Sequence, residues 1–160
     1  MRTWSEAFVE QAASDLNTYE LLSRTTLPTC HRLHYLQMWL EKLCKAHLHS
    51  EADQLRFTHN VVAKTLPKLI FEHWQRTRFQ APGMASDIRA LCREIDLLHP
   101  QVDNSGRNPD NAEYPWIGAS AMIEIPAKWH FRIADRLETH PGKLLLKAGA
   151  ALTRTPVFRK

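Results

Sequence analysis

The sequence predicts an all-α fold, a bundle of four to five helices with a long loop and a small C-terminal appendage. Apolar residues recur at three- and four-residue steps over most of residues 4–98, which is the period of an amphipathic helix. The chain contains only 5 glycines, too few for the many tight turns of a sandwich or barrel. Its 160 residues suit one domain that spans residues 1–160.

The first two helices carry both start signals and apolar stripes. Residues 3–6 (Thr-Trp-Ser-Glu) fit a capping box, which predicts a first helix over about residues 4–24. Thr29 can cap a second helix over about residues 30–49. A short loop joins the two, so we expect an antiparallel pair that buries both stripes.

The third and fourth helices are marked by caps and prolines. Thr58 can cap a third helix over about residues 57–77, in which Pro67 predicts a kink or a split into two short helices. Ser86 can cap a fourth helix, which Pro100 ends. These four helices make up the predicted core, which covers about residues 4–116.

The rest of the chain is less regular. Residues 100–118 are rich in Pro, Asn, Asp and Gly and predict a long loop, of the kind that is often functional. A short strand is expected within residues 121–125 and helical segments over about 127–139 and 144–148. Residues 117–160 are therefore predicted to form an appendage to the core.

Composition and charge restrict the class of protein. The 3 cysteines are widely spaced and odd in number, which argues against a disulfide framework and favours a reducing, cytoplasmic compartment. No apolar run approaches a membrane span. A net charge of +4 is compatible with a nucleic-acid partner. The end of the chain is basic and includes Lys143 and Lys147, which either contact phosphates or form a solvated surface.

Three segments of the sequence resemble the HEPN family (higher eukaryotes and prokaryotes nucleotide-binding). The strongest match lies on the predicted second helix, in the residues His34, Gln37, Glu41, Lys42, Lys45, Ala46 and Leu48. The others are residues 58–60 (Thr-His-Asn) and residues 113–116 (Glu-Tyr-Pro-Trp), where Glu113 replaces an arginine that is common in the family. The resemblance covers about residues 4–116.

The resemblance implies a helical bundle, frequent dimerisation, and action on RNA or nucleotides. The family includes ribonuclease toxins, antiphage-defence proteins and non-catalytic partners of nucleotidyltransferases. The resemblance therefore indicates the fold more specifically than the function. A homodimer or a complex with a partner protein is expected, and no cofactor.

Ribonuclease members of the family carry an arginine followed by a histidine after four to six residues, and Arg93 and His99 match that spacing. A histidine there would take the proton from a ribose 2′-hydroxyl, and the arginine would stabilise the phosphorane charge. The chemistry would be metal-independent RNA cleavage to a 2′,3′-cyclic phosphate, by a site shared across a dimer.

Three features of the sequence oppose that role. On an ideal helix the two residues would lie about 120° apart. His99 directly precedes Pro100, where the helix must end, and Glu94 places a negative charge beside the arginine. The alternative is structural: Arg93 would pair with Asp96, and His99 would cap the end of the fourth helix.

Other residues are candidates for contact with RNA or a nucleotide. Tyr114 and Trp116 can stack on bases or can fasten the long loop to the core. His59 and Asn60 can supply polar contacts or cap the third helix. No metal site is predicted, because the Cys and His residues are spread along one helix rather than gathered in tight loops.

Three functions stay open from the sequence. The first is a HEPN-type ribonuclease in toxin or antiphage defence. The second is a non-catalytic module that binds RNA, a nucleotide or a partner protein and regulates it. The third is a helical subunit of a larger complex with no role on nucleic acid. Gly-rich phosphate loops and nucleophile elbows are absent from the sequence, which excludes the kinase, dehydrogenase and serine-hydrolase classes.

Overall fold

A computed structural model describes residues 2–51, 60–100 and 110–155, and this part of the chain is mostly helical. The helices are α1 Trp4–Leu22, α2 Thr29–Glu51, α3 Val61–Arg76, α4 Ala85–Leu97, α5 Arg132–Leu137 and α6 His140–Arg154. Two short antiparallel strands, β1 Trp116–Ile117 and β2 Ile123–Glu124, form a hairpin, and a single 3₁₀ turn, Pro126–Lys128, follows it. The predicted all-α bundle is confirmed.

Helices α1 and α2 form the predicted antiparallel pair. The capping box is present, because the Thr3 hydroxyl accepts from the Glu6 amide and the Glu6 carboxylate accepts from the Thr3 amide. The Ser5 hydroxyl donates to the carbonyl of Ala46 at 2.7 Å, which ties the start of α1 to the last turns of α2. Leu33, Leu36, Trp39 and Leu40 on α2 are almost completely buried in the bundle.

Helix α3 runs without a break through Pro67, so the predicted split into two helices is wrong. Its first residues are capped from a distance: Asp96 of α4 accepts hydrogen bonds from the amides of Val62 and Ala63, at 3.1 and 2.8 Å. The predicted cap, Thr58, lies outside the described residues. A carboxylate from another helix therefore satisfies amides that a local side chain was expected to satisfy.

Helix α4 begins one residue earlier than its predicted cap. Ser86 lies inside the first turn, and the residue at the cap position, Met84, makes no side-chain hydrogen bond there. The prediction of a serine cap is therefore wrong. The inward stripe of α4 is as expected, with Ile88, Leu91 and Ile95 almost completely buried.

Helix α6 belongs to the core, which corrects the expectation that residues 117–160 form an appendage. Leu145, Ala148 and Leu152 join the same buried cluster as the leucines of α2. The Trp39 indole donates to the Thr153 hydroxyl at 2.8 Å. The β1–β2 hairpin is more exposed, with the side chains of Ile117, Met122 and Ile123 reaching solvent. None of the described helices combines the length and apolarity that crossing a bilayer demands.

Candidate functional site

The predicted catalytic pair lies at and beyond the C-terminal end of α4. Arg93 is exposed on the helix, whereas His99 is half-buried and follows Leu97, the last helical residue, by two positions. Because the chain leaves the helix before His99, the 120° separation of a continuous helix does not apply to this pair. Their catalytic role stays a prediction.

The neighbours of this pair bear on two points made from the sequence, the negative charge of Glu94 and the possible pairing of Arg93 with Asp96. Glu94 forms an ion pair with Arg136 of α5, so its negative charge is compensated within the fold. Asp96 is buried and bonded to α3 amides, and Arg93 and Asp96, both described, form no ion pair. The alternative in which Arg93 pairs with Asp96 is therefore wrong.

A groove lies between the first turns of α2 and the chain around the hairpin; we call it the hairpin groove. Its volume is about 410 Å³, and its lining includes Cys30, His34, Tyr35, Glu113, Tyr114 and Pro126. Nδ1 of His34 lies 3.4 Å from Oε1 of Glu113. Two segments that stand apart in the sequence, one on α2 and one in the loop after α4, thus meet in this groove.

An Asx-type turn fixes Glu113 in the groove. The buried side chain of Asn111 accepts hydrogen bonds from the amides of Glu113 and Tyr114, at 3.0 and 2.7 Å. The amide of Ala112 donates to the carbonyl of Leu98 at 2.9 Å, which anchors this turn to the end of α4. Such side chain-to-backbone bonds hold a loop in one conformation. The sequence analysis missed Asn111, although an Asn before a turn is a recognisable signal.

The two aromatic residues of the loop have different environments. Trp116 is 5% exposed and packs edge-to-face on Trp129 with ring centroids 5.3 Å apart. Trp129 in turn donates to Asp110 at 2.6 Å. Trp116 therefore packs the loop against the fold, which is the structural one of the two roles considered for it from the sequence. Tyr114 is 61% exposed and keeps a free ring face for stacking.

A second groove lies between the end of α3 and α6; we call it the cationic groove. Its volume is about 360 Å³, and its lining is His73, Trp74, Thr77, Arg78, Phe79, Leu144, Lys147, Ala148 and Ala151. These described lining residues include two basic side chains, Arg78 and Lys147, the rings of Trp74 and Phe79, and no carboxylate. Burial, with a contribution from Arg76, lowers the pKa of His73.

The turn after α3 gives the cationic groove its shape. Arg78 has a φ of 54°, and the amide of Phe79 donates to the carbonyl of Trp74 at 2.9 Å. This is the bonding of a Schellman-type helix end, at which glycine is the usual residue. It folds Phe79 back onto Trp74, with ring centroids 5.5 Å apart. Sequence reasoning missed this turn, because an arginine gives no sign of a left-handed conformation.

The remaining predicted contact residues are dispersed. Lys147 lies in the cationic groove, but Lys143 is outside its lining and has Nζ 3.8 Å from a carboxylate oxygen of Glu138. Asn60 is exposed immediately before α3 and makes no side-chain capping bond. His59 lies outside the described residues. The structure therefore does not gather these residues into one site.

Charged residues of α2 form partly buried pairs. The Glu41 carboxylate accepts from Gln37 at 2.6 Å and from Lys45 at 2.5 Å. Lys42 donates to Asp15 of α1 at 2.7 Å. In the ion pairs Glu41–Lys45 and Lys42–Asp15, the four side chains are between 7% and 17% exposed. The Lys42–Asp15 pair links α2 to α1, whereas the bonds of Glu41 lie within α2.

Asp96 lies close to this cluster and has a perturbed titration. Burial raises its pKa to about 6, Glu41 adds to the rise, and the amide hydrogen bonds from α3 oppose it. Burial also raises the pKa of the Cys44 and Cys92 thiols. All three cysteines are buried free thiols. Among the described residues there is no cluster of three side chains able to hold a metal ion.

Comparison of the chain with protein-family models, with curated proteins and with solved structures finds no match in any of the three.

Proposed function

We propose that this chain is an RNA-binding helical domain that holds a stretch of single strand, or a nucleotide, in the cationic groove. One observation carries the proposal: Arg78, Lys147, Trp74 and Phe79 line one groove without an acidic residue among its described lining. This is the second of the functions predicted from the sequence, in which the domain binds and does not cleave.

The chemistry of the groove suits a nucleotide. Fixed cations attract phosphates, and aromatic rings stack on bases of any sequence. A volume of about 360 Å³ lies in the range of small-ligand sites. Phe79 is 43% exposed, so its ring is available to a base. Lys147 forms no ion pair with any described residue, so a phosphate would not have to displace a carboxylate.

Retention of single-stranded RNA on a filter tests the proposal. We expect Lys147→Gln to weaken binding about tenfold at low salt and to reduce the slope of log affinity against log salt by about 0.7, the value for one phosphate contact. Lys143→Gln is the matched control, because it removes the same charge from the same helix outside the groove. Equal losses in the two variants would contradict a localised site and indicate non-specific attraction by net charge.

The resemblance to the HEPN family supports further proposals about the assembly and the biological role of this chain. It favours a homodimer or a complex with a partner protein, and a place in toxin–antitoxin or antiphage-defence systems. These assignments depend on the matched residues alone. Sedimentation of the pure protein tests the first of them, since a dimer would have about twice the 18.5 kDa of the chain.

A second candidate function, metal-independent RNA cleavage by Arg93 and His99, is favoured by one observation. The ion pair between Glu94 and Arg136 removes the negative charge that opposed a phosphate beside Arg93. His99 would accept the 2′-hydroxyl proton as the 2′-oxygen attacks phosphorus, the bond from phosphorus to the 5′-oxygen would break, and the leaving 5′-oxygen would take a proton from water. The products are a 2′,3′-cyclic phosphate and a 5′-hydroxyl, and the reaction needs no metal ion.

Incubation of the protein with structured RNA in EDTA separates the two functions. Cleavage that is lost in both Arg93→Ala and His99→Ala, with a 2′,3′-cyclic phosphate product, would support the nuclease. Retention without cleavage would support the binding domain. Neither retention nor cleavage would leave the third function, a subunit of a complex without a role on nucleic acid.

A further inference from the structure

We propose that the hairpin groove binds an unpaired guanine base, with Glu113 reading its Watson–Crick edge and Tyr114 stacking on its face. This site is separate from the cationic groove, and it rests on the proposed RNA-binding function only for the source of the base. The groove is the larger of the two, at about 410 Å³.

The carboxylate of Glu113 is held ready for a ligand. Its backbone amide is bonded to Asn111, and its Oε1 lies 3.4 Å from Nδ1 of His34. The side chain is 24% exposed, so it is partly desolvated but reachable from the groove. His34 is itself restrained by an edge-to-face contact with Tyr35. A positioned carboxylate in a half-buried groove is costly unless it gains donors.

Guanine is the base that matches such a group. Its N1–H and N2–H₂ are two adjacent donors, and a carboxylate accepts at two oxygens in the same geometry. Adenine would present the N1 lone pair to the carboxylate, and uracil flanks its single N3–H with two carbonyl oxygens. Unpaired bases are commonly read in this way, by hydrogen bonds on the Watson–Crick edge and stacking on an aromatic ring.

The walls of the groove fit a flat ring. Tyr114 is 61% exposed beside Glu113, and it is fixed at its backbone by the 2.7 Å bond to Asn111. Pro126 lines the groove and Ile125 adds an apolar surface with 44% exposure. Ring stacking between a phenol and an apolar wall, with one carboxylate at the edge, orients a base and leaves its sugar towards solvent.

Titration of the ¹⁵N-labelled protein with nucleosides, followed by amide chemical shifts, tests the inference. Nucleosides carry no phosphate, so they lack the group that the cations of the other groove would attract. We expect guanosine to bind at least tenfold more tightly than adenosine, with inosine between them because it lacks the N2 donors. Shifts should centre on the amides of Glu113 and Tyr114.

Variants give an independent measurement. Glu113→Gln should reduce guanosine affinity at least tenfold, because an amide offers one donor and one acceptor where two acceptors are needed. Glu124→Gln is the matched control, since this carboxylate lies on β2 outside the groove lining. Lys147→Gln should bind guanosine like the wild type. Thermal melting of each variant confirms folding.

The outcomes separate this inference from the proposed function. Equal affinity for guanosine and adenosine, no nucleoside binding by the wild type, or wild-type affinity in Glu113→Gln would each overturn it. Guanosine selectivity without RNA retention would uphold this site and remove the proposed function. RNA retention that depends on Lys147, without guanosine selectivity, would do the reverse.

Discussion

The charged side chains of α2 within the bundle and those of the cationic groove differ in whether they already have a partner. In the interior, Glu41 accepts from both Gln37 and Lys45. In the cationic groove, Lys147 is exposed and forms no ion pair with a described residue. The interior bonds stabilise α2 and its contact with α1. Substitutions there should change stability, and substitutions in the grooves should change binding.

The largest expected effect is the loss of stability on breaking the buried pair between α1 and α2. Lys42→Ala would leave the Asp15 carboxylate, whose side chain is 7% exposed, without its cation, and should lower the free energy of unfolding by about 3 kcal/mol. Arg2→Ala, which breaks an exposed pair with Glu10 on the same helix as Asp15, should cost less than about 0.5 kcal/mol. Urea unfolding measures both; similar losses would remove the distinction between interior and surface.

The next effect concerns the cap that α4 supplies to α3. Asp96→Ala removes acceptors for the amides of Val62 and Ala63 and should cost about 2 kcal/mol. Hydrogen exchange should show faster exchange at these two amides in particular. If exchange increases uniformly over the chain instead, the cap does not act locally on α3.

In the cationic groove, the expected effect falls on binding. Phe79→Ala should weaken single-stranded RNA binding by about 1–2 kcal/mol, the usual contribution of one stacked base. Stability should change by less, because the ring is 43% exposed. Trp4→Ala, at an exposed aromatic on α1, is the control and should leave RNA affinity unchanged. A large loss of stability with unaltered affinity would assign Phe79 to the fold.

The smallest expected effect is a dependence of stability on pH through Asp96. Its folded pKa of about 6 lies above the usual value near 4, so the folded state binds more protons and this group's contribution to stability is lost as pH rises through that interval. Between pH 5 and 7.5 the loss should be roughly 1 kcal/mol. Asp96→Asn cannot titrate, so the wild type should lose stability relative to this variant over that range. A constant difference between the two would exclude the effect.

Local patterns predicted the first helices well. The capping box and the apolar stripe placed α1 and α2 within a few residues of their observed ends, because each signal lies inside the element that it specifies. The start of α3 was different. Its cap comes from Asp96, which lies 33 or more positions after the amides that it caps. A local sequence pattern cannot identify such a distant partner.

The grooves were harder to predict for the same reason. Lys147 was among the predicted contact residues, but its partners in the cationic groove come from the end of α3. The turn that presents Phe79 depends on Arg78 in a left-handed conformation, which sequence patterns assign to glycine. His34 and Glu113 were both noted in the sequence, yet their 3.4 Å contact follows from the packing of α2 against the loop after α4.

The indole region of a ¹H–¹⁵N spectrum tests the central claim most directly. The chain has 5 tryptophans, each with one indole N–H signal, and Trp74 alone lines the cationic groove. On addition of single-stranded RNA, we predict that the Trp74 signal shifts while that of exposed Trp4 stays in place. The shift should disappear in Lys147→Gln and persist in Lys143→Gln. Equal shifts at Trp4 and Trp74, or none at Trp74 under conditions where RNA is retained, would contradict binding in this groove.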